Sequence, residues 1–225
     1  YRQSKKMSGH VLSQFKLLVW LIQSIFSASA VYIWFADYHS LLPVIFARLL
    51  GKKVFIVIGG YDVTYIPEID YGSLKNPIRR FCSLFSIKHA TLNLTVSDNL
   101  EADAANLIPA ARIQTVYTGY ASHKFYPSGK KDDKLVLTVG AGDTLQRIKL
   151  KGIDVFIELA HMLPDYTFQI IGLGDTALAH LGDLPENVRV SGTVDQSQLI
   201  SFYRKAKVYA QFSMREGLPN VICEA

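Results

Sequence analysis

Cysteine is scarce. Cys82 and Cys223 are the only two among 225 residues, too few for a disulfide framework and suited to a reducing compartment. The six histidines (His10, His39, His89, His123, His161, His180) show no ligand spacing, so no metal site is expected. Zinc-finger spacing and RNP-like aromatic motifs are absent, so nucleic acid is not an expected partner. Short-period repeats and low-complexity tracts are absent too. Charged residues make up 19% and hydrophobic residues 49%, a balance that excludes wholesale disorder and supports a sizeable core. The formal net charge of +5 suits a nucleotide-phosphate substrate, an anionic membrane surface or a nucleic acid, and does not by itself choose among them.

One long charge-free run is present. Residues 17–36, from Leu17 to Ala36, reach membrane-spanning length. Polar Gln23, Ser24, Ser27 and Ser29 interrupt it, and Val31-Tyr-Ile-Trp-Phe35 is β-branched and aromatic. The run reads as a buried helix followed by a buried parallel strand. The chain lacks an initial Met and stops at Glu224-Ala225 in what reads as mid-helix, so an internal fragment of a longer protein is expected.

Strand-like runs alternate with helical patterns throughout. Residues 9–27, 40–50 and 77–90 read as helices, and Ser97 caps another. Residues 31–35, 53–58, 92–96 and 113–117 read as strands. Residues 126–134 carry Pro, Gly and dense charge and read as a linker. The alternation then restarts, with strands at 135–139, 167–171, 188–190 and 208–212 and a helix opened by Asp195. This predicts an α/β fold of two doubly wound, parallel-sheet domains, residues 1–128 and 129–225.

Four segments carry candidate chemistry. Glu216-Gly-Leu-Pro-Asn-Val-Ile-Cys-Glu224 places one carboxylate in a Gly/Pro turn and another in the helix that Pro219 is suited to start. A helix end favours anions and carboxylates accept hydroxyl hydrogen bonds, so the phrase suits a sugar joined to a phosphate. Arg147-Ile-Lys-Leu-Lys-Gly152 reads as a basic loop between a strand and a helix, where a diphosphate can be held. Gly59-Gly-Tyr-Asp62 ends a buried strand. Its glycines permit close backbone approach, and Asp62 either orients a hydroxyl or caps a turn. His39 lies just beyond the strand at 31–35. Gly172-Leu-Gly-Asp-Thr-Ala177 formally matches a dinucleotide fingerprint, but Gly182 and Pro185 end its helix early and its strand is the second of its domain. A tight strand-end turn is the favoured reading.

Taken in order, these segments resemble the retaining glycosyltransferases of family 4. The resemblance rests on Val139-Gly140, Lys151-Gly152 and its Ile/Phe/Ala helix, Phe168-Gln-Ile-Ile-Gly172, Gly192 before the Asp195 helix, and Glu216-x7-Glu224. It rests also on Leu94-Thr-Val-Ser97 and Val116-Tyr-Thr-Gly119…Phe125-Tyr-Pro127 in the first half. It implies a GT-B fold, two facing Rossmann-like domains with an active site in the cleft, here both incomplete. It implies that Arg147 and Lys151 grip the diphosphate of a nucleotide-sugar and that Glu216 meets the donor sugar. Gly217, Leu218, Pro219 and Asn220 would line that sugar, and Glu224 would meet the ribose. Gly60, Asp62 and His39 would face the acceptor, a saccharide or a lipid-linked molecule. No cofactor and no metal are implied, the cations taking the metal's place. The expected location is cytoplasmic, with Lys5, Lys6, Arg79 and Arg80 available for peripheral contact with the inner membrane face.

Some positions depart from the family. Gly59-Gly60 stands where His-Gly is usual, so a histidine usually given an active-site role has no counterpart. Thr118 and Ala121 stand where Asn and Asp are usual. Gly140-Ala141 stands where Gly-Arg is usual, so the arginine role falls to Arg147, with Lys149 as the competing choice. Two other functions stay open: a catalytically silent GT-B-like sugar-binding or partner subunit, and an NAD-dependent oxidoreductase built on Gly172 and Gly174.

Overall fold

The computed structural model describes residues 19–225, so Lys5, Lys6, His10 and the start of the helix expected at 9–27 lie outside the described residues. Two compact units are formed. Of the described residues, one comprises residues 19–66 together with Tyr71–Tyr117, and the other Thr118–Ala225 together with Pro67–Asp70.

In the first unit a helix at residues 19–27 (α1) precedes β1 (Ala30–Trp34). Then follow α2 (Tyr38–Leu49), β2 (Lys53–Ile58), α3 (Pro77–His89), β3 (Leu92–Thr95), α4 (Asp98–Leu107) and β4 (Ile113–Thr115). The strands are parallel in the order β1-β2-β3-β4. Each crossover steps the same way, so right-handed connections carry α2, α3 and α4 onto one face. Small residues let α2 and α3 approach: Ser40 Oγ donates to Ser86 Oγ (2.7 Å) and Ser83 Oγ to the Ala36 carbonyl (2.9 Å). Asp37 caps α2 through a capping box with Ser40, and Asn76 followed by Pro77 starts α3.

From residue 19 onward the charge-free run is helix, break and strand, and among the described residues no helix is long and apolar enough to cross a membrane. It is buried only in part: Ile25, Ile33 and Ala36 are in the core, and several of its aromatics are not. Trp20 in α1 is 60% exposed. Tyr32 is 59% exposed because, among the described residues, β1 is the edge of its sheet and points Tyr32 and Trp34 to one side while Ile33 is buried on the other.

The second unit contains β5 (Asp132–Gly142), α5 (Leu145–Leu150), α6 (Ile153–Met162), β6 (Thr167–Leu173) and α7 (Asp175–Leu181). It continues through β7 (Val188–Ser191), α8 (Gln196–Lys205), β8 (Ala206–Tyr209) and α9 (Asn220–Glu224). Its parallel sheet runs β7-β6-β5-β8. Two steps go one way and the last returns past β5, so both faces are covered. One core gathers Val136, Ile148, Ile153, Phe156, Phe168 and Ile170. The other gathers Leu137, Ile171, Tyr203 and Ala206, with Phe125 packed against it. Phe125 meets the Tyr203 ring at 6.1 Å between centroids. That contact explains why the division falls at Thr118, ahead of the expected linker at 126–134. β5 already starts at Asp132, whose neighbour Asp133 is held by Lys207 at 2.7 Å.

Candidate functional site

The reversal of strand order lies between β5 and β8. At such a point the chain leaves neighbouring strands toward opposite faces, opening a crevice at their carboxyl ends where ligands bind. The segment after β5 is not the loop expected at 147–152. It is the short helix α5, capped by Thr144 Oγ1 accepting from Arg147 N–H (3.3 Å), with Ile148 and Leu150 buried beneath it. Arg147 and Lys149 remain exposed on it. Gly142 makes room for Arg147, since a β-carbon at 142 would lie 2.5 Å from the Arg147 β-carbon.

Two contacts bring the end of α5 against the segment after β8. Met214 N–H donates to the Leu150 carbonyl (2.9 Å), and Gly152, in the left-handed region at φ 63°, fits against Phe212. Lys151 and Glu216 thereby meet. Lys151 Nζ lies 2.5 Å from Glu216 Oε1, with both side chains about a quarter exposed. Gln211 Nε2 donates to the same oxygen at 3.0 Å and to Ser213 Oγ at 3.1 Å. Tyr209 O–H donates to Gln211 Oε1 at 3.1 Å. Sequence reading missed Gln211 and Tyr209. Both lie in the expected strand at 208–212, and only the register and the fold turn them toward Glu216.

Gly217, Leu218 and Pro219 form a half-buried irregular loop, and α9 starts at Asn220, whose Oδ1 accepts from Thr118 Oγ1 (3.4 Å). Glu224 turns toward α8: Tyr203 O–H donates to its Oε2 at 3.2 Å. A cavity of about 100 Å³ lies beside it, lined by Phe125, Tyr126, Tyr203 and Arg204 among others. Burial, then the negative field of Glu224, pushes the Tyr203 phenol well above its ordinary range. Burial, opposed by a hydrogen bond at Val139 and aided by Glu216 and Glu224, pushes Tyr209 up as well. Tyr209 thus lies within electrostatic reach of both carboxylates.

The Gly172–Ala177 segment opens α7, which Gly182 ends at φ 67° as the sequence indicated. Asp143 Oδ1 would stand 2.3 Å from a β-carbon at Gly174. An anionic side chain against that turn disfavours a pyrophosphate there.

In the first unit, the acceptor-side candidates separate. Asp62 is 1% exposed and serves the backbone: Gly60 N–H donates to its Oδ1 (2.9 Å) and Ala36 N–H to its Oδ2 (3.2 Å). It ties the loop after β1 to the loop after β2. Burial pushes its pKa up to about 6, against the lowering effect of these donors. Gly60 is buried, whereas His39 is exposed with Nε2 3.2 Å from the Trp34 carbonyl. Phe35 adopts φ 68°, rare for a bulky residue, and its ring fills the space beside Gly59, 2.0 Å from where a β-carbon would be. Arg79 is occupied: it donates to Tyr61 Oη (2.6 Å), pairs with Asp37 (3.5 Å) and stacks over Tyr38.

Residues 123–225, a little under half of the chain, match the model of the family described as glycosyl transferases group 1. Among curated proteins none matches in sequence. Similar solved structures include TarM, with a TM-score of 0.68 at 14% identity over 92% of this chain and 42% of that one. Sucrose-phosphate synthase from Thermosynechococcus elongatus gives a TM-score of 0.68 at 15% identity over 100% of this chain and 60% of that one. The pneumococcal O-GlcNAc transferase GtfA, in complex with UDP and GlcNAc, gives 0.60 at 16% identity over 93% and 42%. The chain therefore spans less than two thirds of each. The fold is α/β of GT-B type, with two Rossmann-like units carrying parallel four-stranded sheets.

Proposed function

We propose that the protein is a retaining glycosyltransferase resembling family 4, which moves a sugar from a nucleotide-sugar donor to a hydroxyl of a saccharide or lipid-linked acceptor. The observation that carries this reading is the Lys151–Glu216 pair at the reversal between β5 and β8. A cation and a carboxylate are the two groups that a sugar diphosphate needs side by side. The match of residues 123–225 to glycosyl transferases supports it, as does the company of sugar-transferring enzymes among similar folds.

In this reaction the bond from the sugar's anomeric carbon to the β-phosphate oxygen breaks, and its electron pair stays on the phosphate. Lys151 and Arg147 stabilise that growing charge, where fixed cations are worth most. The acceptor oxygen bonds to the anomeric carbon on the same face and passes its proton to the departing phosphate. Glu216 orients the sugar and Glu224 the ribose. No metal is needed in this scheme.

The Phe35 ring beside Gly59 favours a second reading, a silent sugar-binding subunit, because it fills the place where the resembled family carries its histidine. Two measurements separate the possibilities. A thermal-shift screen of UDP-, GDP- and ADP-sugars against NAD should show stabilisation by one nucleotide-sugar class. Donor hydrolysis by the full-length protein should then be detectable. Stabilisation by NAD alone would refute sugar transfer, and binding without hydrolysis would leave the silent subunit.

A further inference from the structure

We propose that Gln211 is a positioning residue, which holds the Glu216 carboxylate in place for the donor sugar while Tyr209 sets the orientation of the Gln211 amide. This rests on the sugar-transfer reading above.

The hydrogen bonds have one self-consistent assignment. A carboxylate only accepts, so Gln211 must present its NH2 group to Glu216 Oε1 at 3.0 Å. Its amide oxygen then faces Tyr209, whose hydroxyl donates at 3.1 Å. Burial raises that phenol, so it keeps its proton and stays a donor. Glu216 Oε1 receives two donors, Gln211 and Lys151. Among the described residues Glu216 Oε2 takes no hydrogen bond, which leaves that oxygen to a sugar hydroxyl.

The two donors are not equivalent. Lys151 carries a charge that a diphosphate competes for, so its bond to Glu216 weakens when the donor binds. Gln211 is neutral and has no such competing attraction. It is the anchor that persists once Lys151 turns to the phosphate. An arrangement with lysine alone would release Glu216 at the moment when its position matters.

The test is steady-state turnover and nucleotide-sugar hydrolysis by the full-length protein, using whichever of UDP-, GDP- or ADP-glucose the wild type hydrolyses fastest. Gln211→Ala is expected to lower kcat about tenfold, as for loss of one hydrogen bond to a charged group, and to leave KM within about twofold. Tyr209→Phe should lower kcat by about threefold, since the amide can then rotate. In a Glu216→Gln background, Gln211→Ala should cost nothing further, because its effect passes through Glu216. An equal cost in both backgrounds, or a joint change in kcat and KM matched by a lower Tm, overturns the proposal. So does wild-type turnover by Gln211→Ala. Wild-type turnover by Glu216→Gln, or no hydrolysis of any of the three donors, sinks the broader sugar-transfer reading instead.

Discussion

Gly152 stands directly against the carbonyl of Phe212: a β-carbon at position 152 would lie 2.2 Å from that oxygen. Neither atom belongs to a flexible side chain, so the approach of α5 to the segment after β8 depends on glycine here. Gly152→Ala adds a backbone clash to a left-handed conformation and is expected to destabilise the protein by about 2–4 kcal/mol. Thermal or urea unfolding checks this, and a Tm within one or two degrees of wild type, a range that small changes in stability produce, would contradict it.

The cations on the α5 side of that junction are expected to act on turnover. Lys151→Ala and Arg147→Ala should each lower kcat more than they weaken sugar recognition, because the charge matters most as the diphosphate departs. If Arg147→Ala turns over normally while Lys149→Ala is inactive, the arginine role belongs to Lys149.

Glu216 and Glu224 should fail differently. Glu216→Gln keeps shape and removes charge, so the rate of transfer should fall. Glu224→Gln should mainly raise the donor KM, by the equivalent of roughly 1–3 kcal/mol for a hydrogen bond to a charged group. Near-wild-type constants for both would make the Glu-x7-Glu spacing a coincidence in this chain.

Asp62 predicts a pH signature. Its pKa rises from 3.8 to about 6 on folding, so the folded state binds this proton more tightly than the unfolded chain. The resulting contribution is complete below about pH 4 and is lost as pH rises through 6, a change on the order of 2–3 kcal/mol. The readout is the stability of wild type minus that of Asp62→Ala between pH 4 and 7. A difference that grows with pH would contradict the assignment. At neutral pH Asp62→Ala should still destabilise, because the Gly60 and Ala36 N–H groups lose their acceptor.

Gly59 and Phe35 should be coupled. Gly59→Ala drives the Phe35 ring from its place and should cost about 1–2 kcal/mol alone. In a Phe35→Ala background the same change should be nearly free, giving a clear coupling in a double-mutant cycle. Additive costs would show that the ring is not what fills the space.

Much of the fold was legible because β-branched and aromatic runs mark parallel strands. Lys53–Ile58 begins and ends where expected, and Asp195 caps its helix. The helix α5 was not legible. Its buried residues, Ile148 and Leu150, alternate with charges in a segment too short to display a helical period. Charge misled at Asp132–Lys134, where an acidic strand end meets Lys207 and only looks like a linker. Aromatic content misled at Tyr32 and Trp34, since sequence shows a strand's composition but not that it lies at a sheet edge. At the site, Glu216 and Lys151 were each legible as charged groups near strand ends. Their pairing was not, because they are 65 residues apart in the chain and only the return of β8 beside β5 joins them.

That return also sets an order of assembly. Val136 pairs with Phe168 on one side and with Val208 on the other, and the second partner is much the more distant in sequence. Nearby pairings close their loops at lower entropic cost, so β5, β6 and β7 should associate before β8 arrives. Until then β5 is a bare edge with unpaired N–H and C=O groups, open to a strand from another molecule. The strand that completes the site is thus also the one that covers the β5 edge. Substitutions that slow the docking of β8 should therefore appear first as poor recovery of soluble protein, before any loss of turnover per folded molecule.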